Sequence, residues 1–328
     1  VLAELLTDPE RAISQAAQDG LSTLPGAAAD EVVVALLNDN DTARRLVALE
    51  ILGRRRVPAA VPALWNRTTD SDARVRAAAL RRVSEQADPA ELLRLLNLLA
   101  QTTTPQDLST VAQAVGTLAV RANDADGTAT VLGGRLAALT PAQQAALLDA
   151  VGSVGGARAL ETVRAALRSE HEAVRAAALA TLADWRTFDA AQDLLQVAKT
   201  ATNPDTAATA FDGCARLCVE VEAPSGERFK VLQSLAPAAK RPVQERRLLS
   251  ALGEVQTVAS LQLVATYLSR PDLVNEAGAA AVKICSRLDA SGKAEAAPVL
   301  NQVLKSAKAK PVLDGARKQM ERLGIKAE

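Results

Sequence analysis

The chain has 328 residues, 48% of them apolar, and its 38 basic residues are balanced by 38 acidic ones. Zero net charge excludes a global field that would draw the protein to nucleic acid or to an anionic membrane. The longest wholly apolar run, Val32–Leu37, falls far short of the roughly 20 residues that a membrane span needs. The apolar residues are mostly Ala, Leu and Val, with two Trp, one Tyr and three Phe, a composition that suits thin, repeated helix contacts better than one wide core.

Apolar residues recur at helical spacing from one end to the other, and no strand-like alternation interrupts them. The spacing predicts ten helical hairpins, with second helices beginning near residues 9, 41, 72, 105, 141, 171, 204, 241, 271 and 309. The sequence opens at Val1, without Met and inside what reads as a helix, so a cut from a longer chain is expected. Asp8-Pro9 is the first of four breaks, with Thr140-Pro141, Asn203-Pro204 and Arg270-Pro271, that place Pro at the first position of a second helix. Its missing N–H costs nothing there.

The second hairpin carries Arg44-Arg45 and ends in Arg54-Arg55-Arg56, and the third carries Arg81-Arg82. Stacked hairpins bring equivalent positions within about 10 Å, so Arg45, Arg55, Arg56 and Arg82 are the candidate binding face. Asp39, Asp41, Glu50, Asp70, Asp72 and Glu85 interleave with them, and the same residues also read as a salt-bridged, solvated face. Asn66-Arg-Thr fits a glycosylation acceptor. Asn123-Asp-Ala-Asp-Gly-Thr lacks the first acid and the last Glu of a calcium loop and reads as a turn. Gly152-Ser-Val-Gly-Gly lacks the Lys and the strand of a phosphate cradle and reads as a loop. His171 is the sole histidine, and an imidazole-based metal site or base has no second partner. Cys214 and Cys218, one helical turn apart, and Cys285 are too few and too odd for a disulfide framework and are expected to be core thiols. All ten Lys follow residue 198. Gly53, Gly116, Gly155 and Gly253 are expected near helix ends, and Leu323-Gly324-Ile325 reads as a Schellman stop.

Two segments are near copies: Asp72-Ala-Arg-Val-Arg-Ala-Ala-Ala-Leu-Arg-Arg-Val and His171-Glu-Ala-Val-Arg-Ala-Ala-Ala-Leu-Ala-Thr-Leu, identical from Val75/Val174 through Leu80/Leu179. A looser third copy starts at Asp41 and keeps Arg45, Ala48 and Leu52. This pattern resembles the second-helix signature of HEAT repeats, including the short bacterial variety of phycobilin lyases. The resemblance implies an all-α, right-handed α-α superhelix, here a single array over residues 1–328. It also implies structural ladders between neighbouring repeats, built from Asp41, Asp72, Arg76 and Arg175. HEAT-like DNA glycosylases bind duplex on a concave, Arg-lined face with nearby Trp and Asp; here Trp65 falls in a first helix and Trp185 at the end of a second one. HEAT-type di-iron hydroxylases use several His-Glu pairs, and this chain has one, His171-Glu172. The phrases beginning at Asp193 and Ala280 resemble helical accessory regions of large exported bacterial proteins that carry a sugar-acting domain.

The expected function is a non-catalytic scaffold that binds a protein partner on its concave face, with no cofactor, no metal and no membrane insertion. The alternatives are an accessory module of a larger exported enzyme and nucleic-acid binding through the second and third repeats, which the charge balance argues against. The compartment, cytoplasmic or exported, stays open.

Overall fold

The computed structural model describes residues 1–289 and 292–326. They are helical, and no strand occurs among them. They form two compact units, Val1–Ala178 and Leu179–Glu328, with the division inside one helix.

In the first unit, α1 (Arg11–Thr23) precedes four hairpins. These are α2 (Ala27–Leu36) with α3 (Thr42–Arg55), α4 (Val61–Arg67) with α5 (Ala73–Gln86), α6 (Leu92–Gln101) with α7 (Pro105–Arg121), and α8 (Ala125–Leu136) with α9 (Pro141–Val154). Then come α10 (Gly156–Ala166) and the dividing helix α11 (Glu172–Ala183). The second unit continues with α12 (Ala191–Thr200) and α13 (Pro204–Glu220), α14 (Ser225–Leu235) and α15 (Pro242–Glu254), α16 (Val258–Ala265) and α17 (Val274–Cys285), and α18 (Lys293–Ser306) and α19 (Lys310–Leu323). Each unit is therefore an α-solenoid stack of helical hairpins. Every second helix starts within three residues of its expected position.

The stacking follows from the apolar stripes. Helix α6 buries Leu92, Leu95, Leu96 and Leu99, at helical spacing, while Leu93 between them is exposed. Such a stripe covers one partner. The second helices have more to bury, because each packs on its own first helix and on the second helix of the next repeat: α1 on α3, α3 on α5, α5 on α7 and α7 on α9, and likewise α13 on α15, α17 and α19 in sequence. In α5 the signature residues Val75, Ala79 and Val83 are wholly buried. Small residues permit the closest approaches. A side-chain carbon on Gly213 of α13 would sit 2.8 Å from the Cα of Ala183 in α11, so only glycine fits.

Helix ends are closed by side chains. Asp41, Asp72, Thr104, Asp124, Thr140, Asn203 and Thr257 each accept a backbone N–H from the helix they open. Pro141 and Pro204 occupy first positions as expected, but Pro9 and Pro271 lie two and three residues before α1 and α17, in the preceding turns. Proline fixes one φ angle and serves a turn equally well. Pro105 and Pro242 hold the first positions of α7 and α15 instead. Gly116 lies inside α7, facing Ala150 of α9, and Gly152 and Val154 belong to α9, leaving Gly155 alone between α9 and α10. At the C-terminal end, Gly324 is left-handed, the Ile325 N–H donates to Met320 O at 2.8 Å, and the Gly324 N–H donates to Glu321 O, which is the Schellman pattern.

Candidate functional site

The repeat signature explains itself atom by atom. Its arginine sits four residues after the N-cap, and its guanidinium folds back onto the hairpin loop. Arg45 donates to Asp39 O and Asn40 O, Arg76 to Asp70 O and Ser71 O, and Arg175 to Ser169 O and Glu170 O. In all three the acceptors stand six and five residues earlier, so one side chain ties down two loop carbonyls that the helix leaves without partners.

Two of these arginines also cross to the next repeat. Arg45 reaches Asp70 at 3.1 Å, with side chains only 9% and 4% exposed. Arg76 forms a two-toothed pair with Asp107, Nη2 to Oδ2 at 2.9 Å and to Oδ1 at 3.1 Å. The ladder therefore exists, but its acids are not the expected Asp41 and Asp72. Those carboxylates cap their own helices, accepting from Ala43 N and Arg74 N at 2.8 Å, and Asp72 is further engaged by the Arg74 guanidinium. A capping carboxylate turned onto its own first turn is not available to the neighbouring repeat. The crossing acids lie on the hairpin loop (Asp70) and in the first turn of α7 (Asp107). Sequence reasoning passed over Asp107 and counted Asp70 only as interleaved charge. The available signal was the acid two residues before the N-cap, Asp39 and Asp70, each of which accepts the N-cap residue's own N–H.

The electrostatics agree. The Asp41 N–H, then Arg44 and Arg45, hold the Asp39 carboxyl below its ordinary range. For Asp70, burial pushes upward, but the Asp72 N–H, Arg45 and Arg67 prevail and the net shift is downward. Arg76 and Thr104 lower Asp107, and the Arg74 side chain and N–H bring Asp72 down to about 2.

A second set of fasteners closes the other ends of the second helices. Arg55 donates to Leu21 O and Leu24 O at the end of α1 and pairs with Asp30. Arg121 does the same to Ser84 O and Ala87 O, Arg216 to Ala183 O and Trp185 O, and Arg322 to Cys285 O and Leu288 O. Gln86 reaches Leu52 O. Each cation lies on the carbonyl end of the preceding helix, where charge and hydrogen bonding both favour it.

The four candidate arginines thus do not form one free patch. Arg45 and Arg55 are internal. Arg82 pairs with Glu85 at 2.9 Å and lies across Gly53 of α3, so that a side chain there would displace its guanidinium, and its burial lowers its pKa. Arg56, in left-handed backbone after α3, is exposed. Trp65 stacks under the Arg94 guanidinium, 4.1 Å from the ring centre. Thr68 of the glycosylation triplet is buried, its hydroxyl donating to Trp65 O. His171 is exposed at the start of α11, its N–H donating to Ser169 Oγ. All three cysteines are buried and free. The Cys218 hydrogen bond and burial push the Cys214 thiol up, and burial takes Cys285 to about 12, so neither offers a thiolate near neutral pH. Among the described residues no group of three His, Cys, Asp or Glu is placed to hold a metal ion, and no helix is long and apolar enough to cross a membrane.

Residues 29–116, which include the Arg45–Asp70 and Arg76–Asp107 bridges, match the family of HEAT repeats. That stretch of the chain carries HEAT repeats. No curated protein matches it. Solved neighbours include Kap121p bound to Pho4p, 15% identical over 98% of this chain and 41% of that chain, with a TM-score of 0.58. Kap121p bound to Ste12p aligns at 15% identity over 98% and 40%, with a TM-score of 0.56. This chain therefore spans about two fifths of the length of those neighbours, and at such identity the likeness speaks for the fold. The complex of CpcE and CpcF of phycocyanin lyase from Nostoc sp. PCC7120 aligns at 20% identity over 72% and 93%, with a TM-score of 0.35, too low to carry an argument.

Proposed function

We propose that this HEAT-repeat chain is a non-catalytic scaffold that binds a protein partner on the second-helix face of its hairpins. The carrying observation is where its arginines go. The repeats that look most like a phosphate-binding surface place Arg45 and Arg55 in the interior, on loop carbonyls, helix ends and carboxylates. The side chains between helices on that face include small or uncharged ones, such as Ala77 and Ala78 in α5, Ser109 and Gln113 in α7, and Ala146 in α9, interspersed with the exposed charges Arg74, Arg81 and Asp149. A surface of that kind gains from burial and shape matching, not from counterion release. The Kap121p neighbours, with TM-scores above 0.5, are both bound to proteins, which supports the same reading.

The test is crosslinking of the tagged chain to its surroundings, followed by peptide mapping of the sites. The account expects protein partners joined through the second helices, with the same yield after His171→Ala. Recovery of nucleic acid alone, or a catalytic activity lost with His171, would overturn it. Nucleic-acid binding keeps only Arg56 and Arg82 of its four supporting residues and is the weaker reading. The accessory-module reading rests on sequence phrases alone.

A further inference from the structure

Four residues after the N-cap, where α3, α5 and α11 carry the signature arginine, α7 carries Leu108. The seam between α5 and α7 is bridged by Arg76 and Asp107, whereas among the described residues no ion pair joins α7 to α9. These two helices touch toward their C-terminal halves, where a side-chain carbon on Gly116 would lie 3.4 Å from Ala150 Cα. Toward their N-terminal halves they leave a cleft of about 430 Å³, within the roughly 300–1,000 Å³ of ligand clefts. Its floor is Leu108, Ala112 and Ala146, and its rim carries Ser109, Gln113 and Asp149. Asp149 is exposed and has no ion-pair partner among the described residues, and the lining contains no cation.

From this geometry we infer that the α7/α9 cleft is a docking site for a peptide segment of the partner, one that presents an aliphatic side chain with a Lys or Arg within about one turn or two extended residues of it. The aliphatic group fills the floor and is removed from water there. The cation sits over Asp149, the one charge that the cleft leaves unanswered, and this sets the polarity of the segment. A segment with an acid in place of the cation meets a like charge and is rejected. Ser109 and Gln113 supply rim hydrogen bonds to its backbone.

The inference rests on the protein-binding reading, and the experiment separates the two. Short random peptides displayed on phage are selected on the full chain, and the enriched ones are measured by fluorescence anisotropy against the unaltered chain and against Ala146→Glu, Asp149→Lys and Asp149→Asn. Thermal melts confirm that the variants fold; the asparagine variant, an isosteric change on an exposed side chain, keeps the test alive if the others do not. The expected result is an aliphatic-plus-basic consensus whose affinity falls about tenfold or more in the Asp149 variants and in Ala146→Glu. Enriched peptides without a basic residue, or peptides whose affinity ignores these substitutions, would remove this site while leaving protein binding in place. If no peptide is enriched at all, both readings fail.

Discussion

Arg45 and Arg76 occupy the same place in the repeat and do the same work on their loops, yet they differ in what their removal leaves behind. Arg45→Ala strands Asp70, whose side chain is 4% exposed and keeps only the Asp72 N–H and a single cation, Arg67 at 3.3 Å. Breaking a buried pair from one side is expensive, on the order of 3 kcal/mol. Arg76→Ala frees Asp107, which is a quarter exposed and regains water, at about 1–3 kcal/mol. Urea unfolding should rank Arg45→Ala below Arg76→Ala; the reverse order would count against the ladder geometry. Acid acts on the same atoms. Asp39, Asp70, Asp72 and Asp107 all bind their protons more weakly when folded than free carboxylates do, so the unfolded chain holds more protons than the native one near pH 4. Their contribution is complete above about pH 4 and is lost as the pH falls through the folded values, near 2 for Asp72. Asp107→Asn should flatten the fall in stability below pH 4, and a parallel curve would show that this carboxylate is not linked to folding. The signature arginines were legible in sequence because the segments around Arg76 and Arg175 are nearly identical. Their acids were not, because Asp70 and Asp107 lie in loop and first-turn positions whose spacing differs from repeat to repeat.

At the scale of elements, helix starts were read well because apolar period, caps and prolines coincide at most of them. Where one signal stood alone it misled: Pro9 and Pro271 belong to turns. Glycines misled too, since composition does not reveal whether a glycine ends a helix or lets another helix close in. Gly213 is of the second kind. Gly213→Ala replaces a poor helix former by the best one, a gain of about 1 kcal/mol in an isolated helix, but it drives a methyl group to 2.8 Å from Ala183 Cα. Overpacking of this sort costs about 1–3 kcal/mol, so a lowered melting temperature is expected. A raised one would mean that α11 and α13 do not meet so closely.

For the molecule as a whole, composition and periodicity made the all-helical repeat fold plain, since no single hairpin can cover its apolar stripe unaided. The candidate site was less legible. A sequence shows that arginines are clustered but not that helix C-terminal carbonyls and loop turns claim them, because those acceptors carry no side-chain signature. This difference separates a scaffold for proteins from a surface for phosphate, and salt exposes it. Fluorescence anisotropy of a labelled DNA duplex, titrated with the full chain at low ionic strength, tests it most directly, because phosphate contacts strengthen steeply as salt is withdrawn. The account predicts no saturable binding; tight binding that weakens steeply with added salt and disappears on substituting Arg56 and Arg82 would contradict it.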